Sequence, residues 1–156
     1  MTRELKFRPM SNEEYAKYEG MAVNSLAEEE ARAYGAELVV AQRRAALAFE
    51  HLVPNRELSV SRQTIYVLEV DGTDVGVLWY EMRDANREAY IYDIVIWPPH
   101  RKKGLGRRAL AQLEERLRPL GVRRLILNVF KHNQAALSLY SALGYEARSC
   151  LLMKTI

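Results

Sequence analysis

The stretch Trp97-Pro98-Pro99-His100-Arg101-Lys102-Lys103-Gly104-Leu105-Gly106-Arg107-Arg108-Ala109-Leu110 decides how this chain is read. It follows Tyr90–Trp97, a run so apolar that it reads as a central strand. Pro98-Pro99 stops that strand, because proline cannot donate to a β ladder. A helix follows, with Leu110, Leu113 and Leu117 on one side, closed by Pro119 and Gly121. The first N–H groups of a helix have no internal acceptor and, with the helix dipole, form an anion site. Gly104 and Gly106 let the backbone approach such an anion without a Cβ in the way. Arg101, Lys102 and Lys103 add charge. The pattern describes a diphosphate cradle, but neither of two common ones. A P-loop needs four residues between its glycines and Lys-Ser/Thr after the second. A dinucleotide fingerprint needs a third glycine where Ala109 stands, normally after the first strand of its unit. A glycine-containing turn with solvated basic residues is the alternative that the loop alone leaves open.

Working outward, Glu4–Arg8 reads as a first strand ended by Pro9. Ser11 and Glu14 form a capping box, with Met10 and Tyr15 as a hydrophobic staple. Ser25 and Glu28 repeat the box and predict a second helical stretch through Tyr34, interrupted at Gly35. A third stretch from Ala36 to Leu52 places Leu38, Gln42, Ala45, Phe49 and Leu52 on one face. Thr64–Val70 and Val75–Met82 flank Asp71-Gly72, which predicts a hairpin. After the glycine loop and its helix, Arg124–Phe130 reads as a strand and Asn133–Leu143 as a helix capped by Gly144. Tyr145–Ile156 supplies one or two final strands. The expected architecture is one mixed α/β domain over residues 1–156.

Composition excludes several classes. With 49% hydrophobic and 28% charged residues, the chain is not of the disordered type. No run approaches the roughly 18 apolar residues of a membrane span. Met1–Met10 is interrupted by Arg3, Glu4, Lys6 and Arg8, so no secretory leader is expected, and a cytoplasmic location is. The single Cys150 excludes an internal disulfide and a multi-cysteine metal site. It reads as a small buried residue. His51, His100 and His132 lack metal-ligand spacing, and no metal is expected. Net charge is a mild +3, but Arg101, Lys102, Lys103, Arg107 and Arg108 cluster without an intervening acid, which suits phosphates. Nucleic acid is disfavoured as their source, since interleaved aromatics and a recognition helix are absent.

The wider stretch Ile91–Tyr145 resembles the GNAT superfamily of acetyl-CoA-dependent N-acyltransferases. Arg101-Lys102-Lys103-Gly104-Leu105-Gly106 is similar to that family's pyrophosphate loop, Arg/Gln-x-x-Gly-x-Gly/Ala. Asp93-Ile94-Val95-Ile96-Trp97-Pro98 looks like the strand before it. Leu127-Asn128-Val129-Phe130-Lys131-His132-Asn133 resembles the fifth strand and the asparagine opening the next helix. Leu139-Tyr140-Ser141-Ala142-Leu143-Gly144-Tyr145 looks like the tyrosine-bearing helix and its exit. The resemblance implies a mainly antiparallel sheet of six to seven strands flanked by helices, with the fourth and fifth strands splayed apart. It implies acetyl-CoA as donor and an amine as acceptor, with transfer by direct attack in a ternary complex. A non-catalytic acyl-CoA-binding regulatory module is the alternative, and a homodimer stays open.

Residue by residue, the resemblance implies that backbone amides of Arg101, Lys102, Lys103, Gly104, Leu105, Gly106 and Arg107 hold the pyrophosphate. The main chain of Ile94 and Ile96 would pair with pantetheine. Asn128 would lie near the gap, Asn133 on the cofactor arm and Tyr140 at the sulfur. Asn133 and Tyr140, seven apart, share a helix face about 10.5 Å long. The bland alternatives are an N-cap for Asn133 and a core aromatic for Tyr140.

An amine with a pKa near 10.4 is neutral in only about one molecule in 2,500 at pH 7, so a base assists its attack on a thioester. Tyr140 is the candidate acid for the departing thiolate. An amide near Ile94 or Val95 is the candidate oxyanion donor. Asp93, the only acid in Tyr90–Trp97, is the candidate base, with a structural cap as its competitor and Glu69 and Glu81 as alternatives. Related enzymes often carry glutamate one position earlier, where this chain has Tyr92. The Glu28-Glu29-Glu30 run reads as a solvated helix start or as an attraction for a cationic amine.

Overall fold

The computed structural model describes residues 3–156. Five strands form one sheet in the order β1 (Leu5–Pro9), β2 (Gln63–Val70), β3 (Thr73–Arg83), β4 (Glu88–Ile96) and β5 (Arg124–Leu127). Neighbours are antiparallel except β4 and β5, which run parallel. Pro9 is the last residue of β1 rather than its stop. The strand lies at the sheet edge, where a missing N–H costs no ladder bond. Asp71 and Gly72 both take positive φ, 51° and 74°, as a tight primed turn requires.

Helices α1 (Asn12–Tyr34) and α2 (Leu38–Leu52) cover one face of the sheet. Helix α3 (Leu105–Leu117) covers the other, with the short α4 (Gln134–Ala142) at its margin. The Ser11–Glu14 capping box forms as expected. The second box does not start a new helix: α1 runs unbroken through Ser25 to a left-handed Gly35. Val23, Leu26 and Ala27 keep an apolar seam against Ala41 and Ala45 of α2. Continuing the i→i−4 ladder there buries that seam, and a capped restart at Ser25 would interrupt it. Below the sheet, Leu110, Leu113 and Leu117 are almost wholly buried, each contributing roughly 1.5–3 kcal/mol.

Two expectations about the C-terminal third need correction. The sheet has five strands among the described residues, not six or seven, because Tyr145–Ile156 adopts no regular structure. Leu151, Leu152 and Met153 are exposed there. A segment becomes a strand only where it pairs with a neighbour, and among the described residues β5, four residues long, pairs with β4 alone. Cys150 is accordingly exposed rather than buried.

Candidate active site

The site begins with a fault in the β3–β4 ladder. Trp79 pairs with Asp93 and Tyr80 with Ile91, so Tyr92 is an extra residue, a β-bulge. The bulge shifts the phase of β4. Before it, Ala89 and Ile91 face α3, and after it Ile94 and Ile96 do, while Tyr92, Val95 and Trp97 face α1 and α2. The parallel β4–β5 pairing stops at the same level, with Ile91 opposite Leu127. Beyond it β4 continues to Ile96 with no partner strand on that side among the described residues, so the two strands are splayed as expected. Trp97 N–H donates to Val75 on β3, 2.8 Å away. By strand alternation Val95 also turns its polar backbone toward β3, and Ile94 and Ile96 turn theirs to the open edge. The Arg101 guanidinium occupies the Ile96 carbonyl there at 2.8 Å. Gly76 permits the close approach of β3 and β4, since a Cβ at this position would lie 2.1 Å from the Val95 carbonyl oxygen.

The open edge leads to the glycine loop. Gly104, at φ 72°, is the N-cap of α3, and no side chain among the described residues caps this end. The first helical bond closes at Arg108, so the amides of Leu105, Gly106 and Arg107 face outward. Lys102 also takes a positive φ of 59°. Lys103 Nζ donates to the Pro99 carbonyl at 3.2 Å and braces the loop. The Leu105 side chain is buried in the core, so only its backbone is available to a ligand. A Cβ at Gly106 would come within 3.6 Å of Leu139, and one at Gly104 would meet no atom within 4 Å. Outward amides, exposed Lys102 and Arg107, and clear space before Gly104 fit the diphosphate of a CoA-type ligand.

Around the bulge the side chains form a polar cluster in which Tyr18 is buried and Asp93 and Tyr140 are half-buried. Tyr18 of α1 donates its phenol proton to Asp93 Oδ2 at 2.5 Å. The Ile94 backbone N–H also bonds this carboxylate. Burial raises the Asp93 pKa, and these two hydrogen bonds oppose the rise. Tyr140 of α4 is pushed above the usual phenol range by burial and then by the charge of Asp93. Aromatic packing fixes Tyr18, whose ring lies 6.2 Å from Tyr15 and 6.3 Å from Trp79.

The other expected residues lie outside this cluster. Asn128 is exposed just past β5. Asn133 is the N-cap of α4 and accepts the Ala136 N–H at 3.1 Å. Glu81 accepts the Tyr92 phenol proton at 2.8 Å, whereas Glu69 pairs with Arg8 at 3.5 Å, two strands from β4. Glu29 contacts His132, joining α1 to the loop before α4, so the acidic run is mid-helix rather than a helix start. Sequence reasoning missed Tyr18, the bulge at Tyr92 and the close approach at Gly76. Tyr15 and Tyr18, three apart on a helix, signal only a buried face.

Comparison with known proteins agrees with this architecture. The sequence model of the acetyltransferase (GNAT) family matches residues 23–145. The uncharacterized N-acetyltransferase YycN of Bacillus subtilis is 34% identical over 95% of this chain and 96% of its own length. Its crystal structure superposes with a TM-score of 0.90 at 31% identity, covering 98% of this chain and 99% of that one. The PaiA N-acetyltransferase of Thermoplasma acidophilum, solved in complex with coenzyme A, shares the fold at a TM-score of 0.66 and 19% identity, over 93% of this chain and 91% of that one. The chain belongs to the acetyltransferase (GNAT) family.

Proposed function

We propose that this chain transfers the acetyl group of acetyl-CoA to a primary amine of a small molecule, a protein N-terminus or a lysine, by direct attack in a ternary complex. The observation that carries the reading is the continuity of three features. The uncapped α3 N-terminus, the unpaired edge of β4 and the Asp93–Tyr140 neighbourhood adjoin one another in that order. Amides of residues 101–107 would hold the diphosphate, and Ile94 and Ile96 would pair with pantetheine as an added strand. Arg101 would then release the Ile96 carbonyl. Asn128 and Asn133 would line the arm leading to Tyr140.

Asp93 would take a proton from the attacking amine, directly or through water, as the N–C bond forms. The C–S bond then breaks and Tyr140 gives its proton to the sulfur. The proton on Asp93 restores Tyr140, so the balance is amine plus thioester to amide plus thiol. The raised pKa of Tyr140 suits an acid that must stay protonated until the thiolate departs. Proton uptake by Asp93 would loosen its hold on the Ile94 N–H, freeing that donor for the developing oxyanion. Val95, whose amide turns to β3, is the weaker choice for this role.

Calorimetry with acetyl-CoA, followed by thiol release across a panel of amines, tests the reading. Micromolar or tighter binding with amine-dependent release of CoA is expected. Binding without turnover would favour a regulatory module, and absence of binding would remove both readings.

A further inference from the structure

Asp93 is half-buried, its carboxylate is largely withdrawn from water, and no cation is paired with it among the described residues. A charge in that setting costs free energy unless strong donors face it. Two donors do so. One is the Ile94 N–H, which belongs to the strand itself. The other is Tyr18, 75 residues away in sequence and on a different element. From α4 the facing group is the Tyr140 phenol, and from β3 it is Trp79, whose indole N–H goes to Gln63 at 2.9 Å. Tyr15 stands behind Tyr18 on α1, with Glu19, Glu50 and Arg56 beyond it.

Tyr18 is itself only 4% exposed, and burial together with Asp93 holds its phenol well above the usual range. It therefore stays a donor throughout the working pH range. Its ring is set edge-on against Trp79, which Phe49 of α2 also touches at 5.1 Å between centroids. The donor is thus held by the packing of both helices on the sheet. This arrangement exceeds what a core tyrosine needs, because its one polar atom is spent on the only acid in the part of β4 that lies past its pairing with β5.

We propose that Tyr18 is a positioning residue for acetyl transfer, its phenol holding the Asp93 carboxylate charged and turned into the opening between β4 and β5. The inference rests on the acetyl-transfer reading and deepens it by bringing α1 into the acid–base machinery. Tyr18 touches neither the amine nor the thioester; it acts through Asp93.

The test uses the whole chain with its aspartate carboxyl carbons labelled, which gives four signals, from Asp71, Asp74, Asp84 and Asp93. Asp93→Asn assigns the signal that disappears. In Tyr18→Phe the ring contacts remain and only the donor goes, so Asp93 should titrate about one pH unit or more higher than in the parent chain. The Tyr18 ring carbon bearing oxygen, labelled in the parent chain, should report an inflection at the Asp93 titration point. With any amine that supports CoA release, the acid limb of kcat/KM should move up with Asp93 in Tyr18→Phe. That limb should vanish in Asp93→Asn, and adding Tyr18→Phe to Asp93→Asn should change nothing further. An unmoved Asp93 titration in Tyr18→Phe, or no inflection at Tyr18 in the parent chain, overturns the proposal. A moved titration with an unmoved acid limb also overturns it, reducing Tyr18 to packing. If no amine releases CoA, the acetyl-transfer reading falls and takes this role with it, and a shifted NMR titration identifies that as the cause.

Discussion

The antiparallel part of the sheet and its parallel margin differ in where their ladders end. β2, β3 and β4 span 8, 11 and 9 residues and stay paired nearly throughout. β4 and β5 share only the register from Glu88–Arg124 to Ile91–Leu127. The first part holds the core: Leu68, Val77, Leu78 and Trp79 are almost completely buried. The second holds the candidate chemistry, because backbone groups that no strand satisfies remain open to a ligand. Stability and recognition are thus assigned to opposite edges of one strand, with Gly76 gripping β4 on one side and the splay on the other.

That contrast can be broken from either side, and the largest effect is expected at the grip. Gly76→Ala puts a Cβ 2.1 Å from the Val95 carbonyl and should cost about 3 kcal/mol or more in urea unfolding. A stable Gly76→Ala chain would show that β3 does not fix β4. Gly104→Glu meets no neighbouring atom, strains a left-handed position by roughly 1–2 kcal/mol, and places a carboxylate before the outward amides. Acetyl-CoA affinity should drop by at least about 100-fold in calorimetry. Tyr140→Phe should lower kcat by roughly 10²-fold with acetyl-CoA affinity nearly unchanged, and an unaltered pH–rate profile would deny Tyr140 its acid role.

Smaller effects sharpen the comparison. Burial raises the Asp93 pKa above its unfolded value. The stability linked to Asp93 is therefore present at pH below the ordinary carboxylate range and is lost as pH rises through the folded value. Asp93→Asn lacks this loss, so its melting temperature should gain on the parent chain as pH rises from the ordinary carboxylate range through the folded value. A constant difference would mean that the carboxylate is not desolvated. Ser11→Ala removes half of the α1 capping box, far from the splay, and should cost about 1 kcal/mol in thermal or urea unfolding without changing acetyl-CoA affinity.

What the sequence made legible follows from how local each signal is. The capping box at Ser11, the turn at Asp71-Gly72 and the uncapped loop at Gly104 are written within a few residues, and all three form. The false restart at Ser25 had an equally local signature, overridden by the apolar seam with α2. The bulge stayed hidden because Tyr90–Trp97 is apolar on nearly every position, so a change of phase leaves no trace in its alternation. Tyr18 stayed hidden for a different reason: its partner lies 75 residues ahead, and only the crossing of α1 over the sheet brings them together. The final strands expected in Tyr145–Ile156 do not form, since the segment itself carries no information about whether a neighbouring edge will pair with it.

The extra residue at Tyr92 has a consequence for how this strand can change over time. β4 is read in two frames, one before the bulge and one after, and both must place their apolar members on the same side. Many substitutions preserve the frames. Loss of Tyr92 would join the two frames into one, because Ile91 and Ile94 would then stand two apart, both on the α3 side, with every later residue keeping its partner on β3. In genetic terms a one-codon deletion at Tyr92 would spare the core and fall on the candidate site alone, where the irregularity of β4 lies.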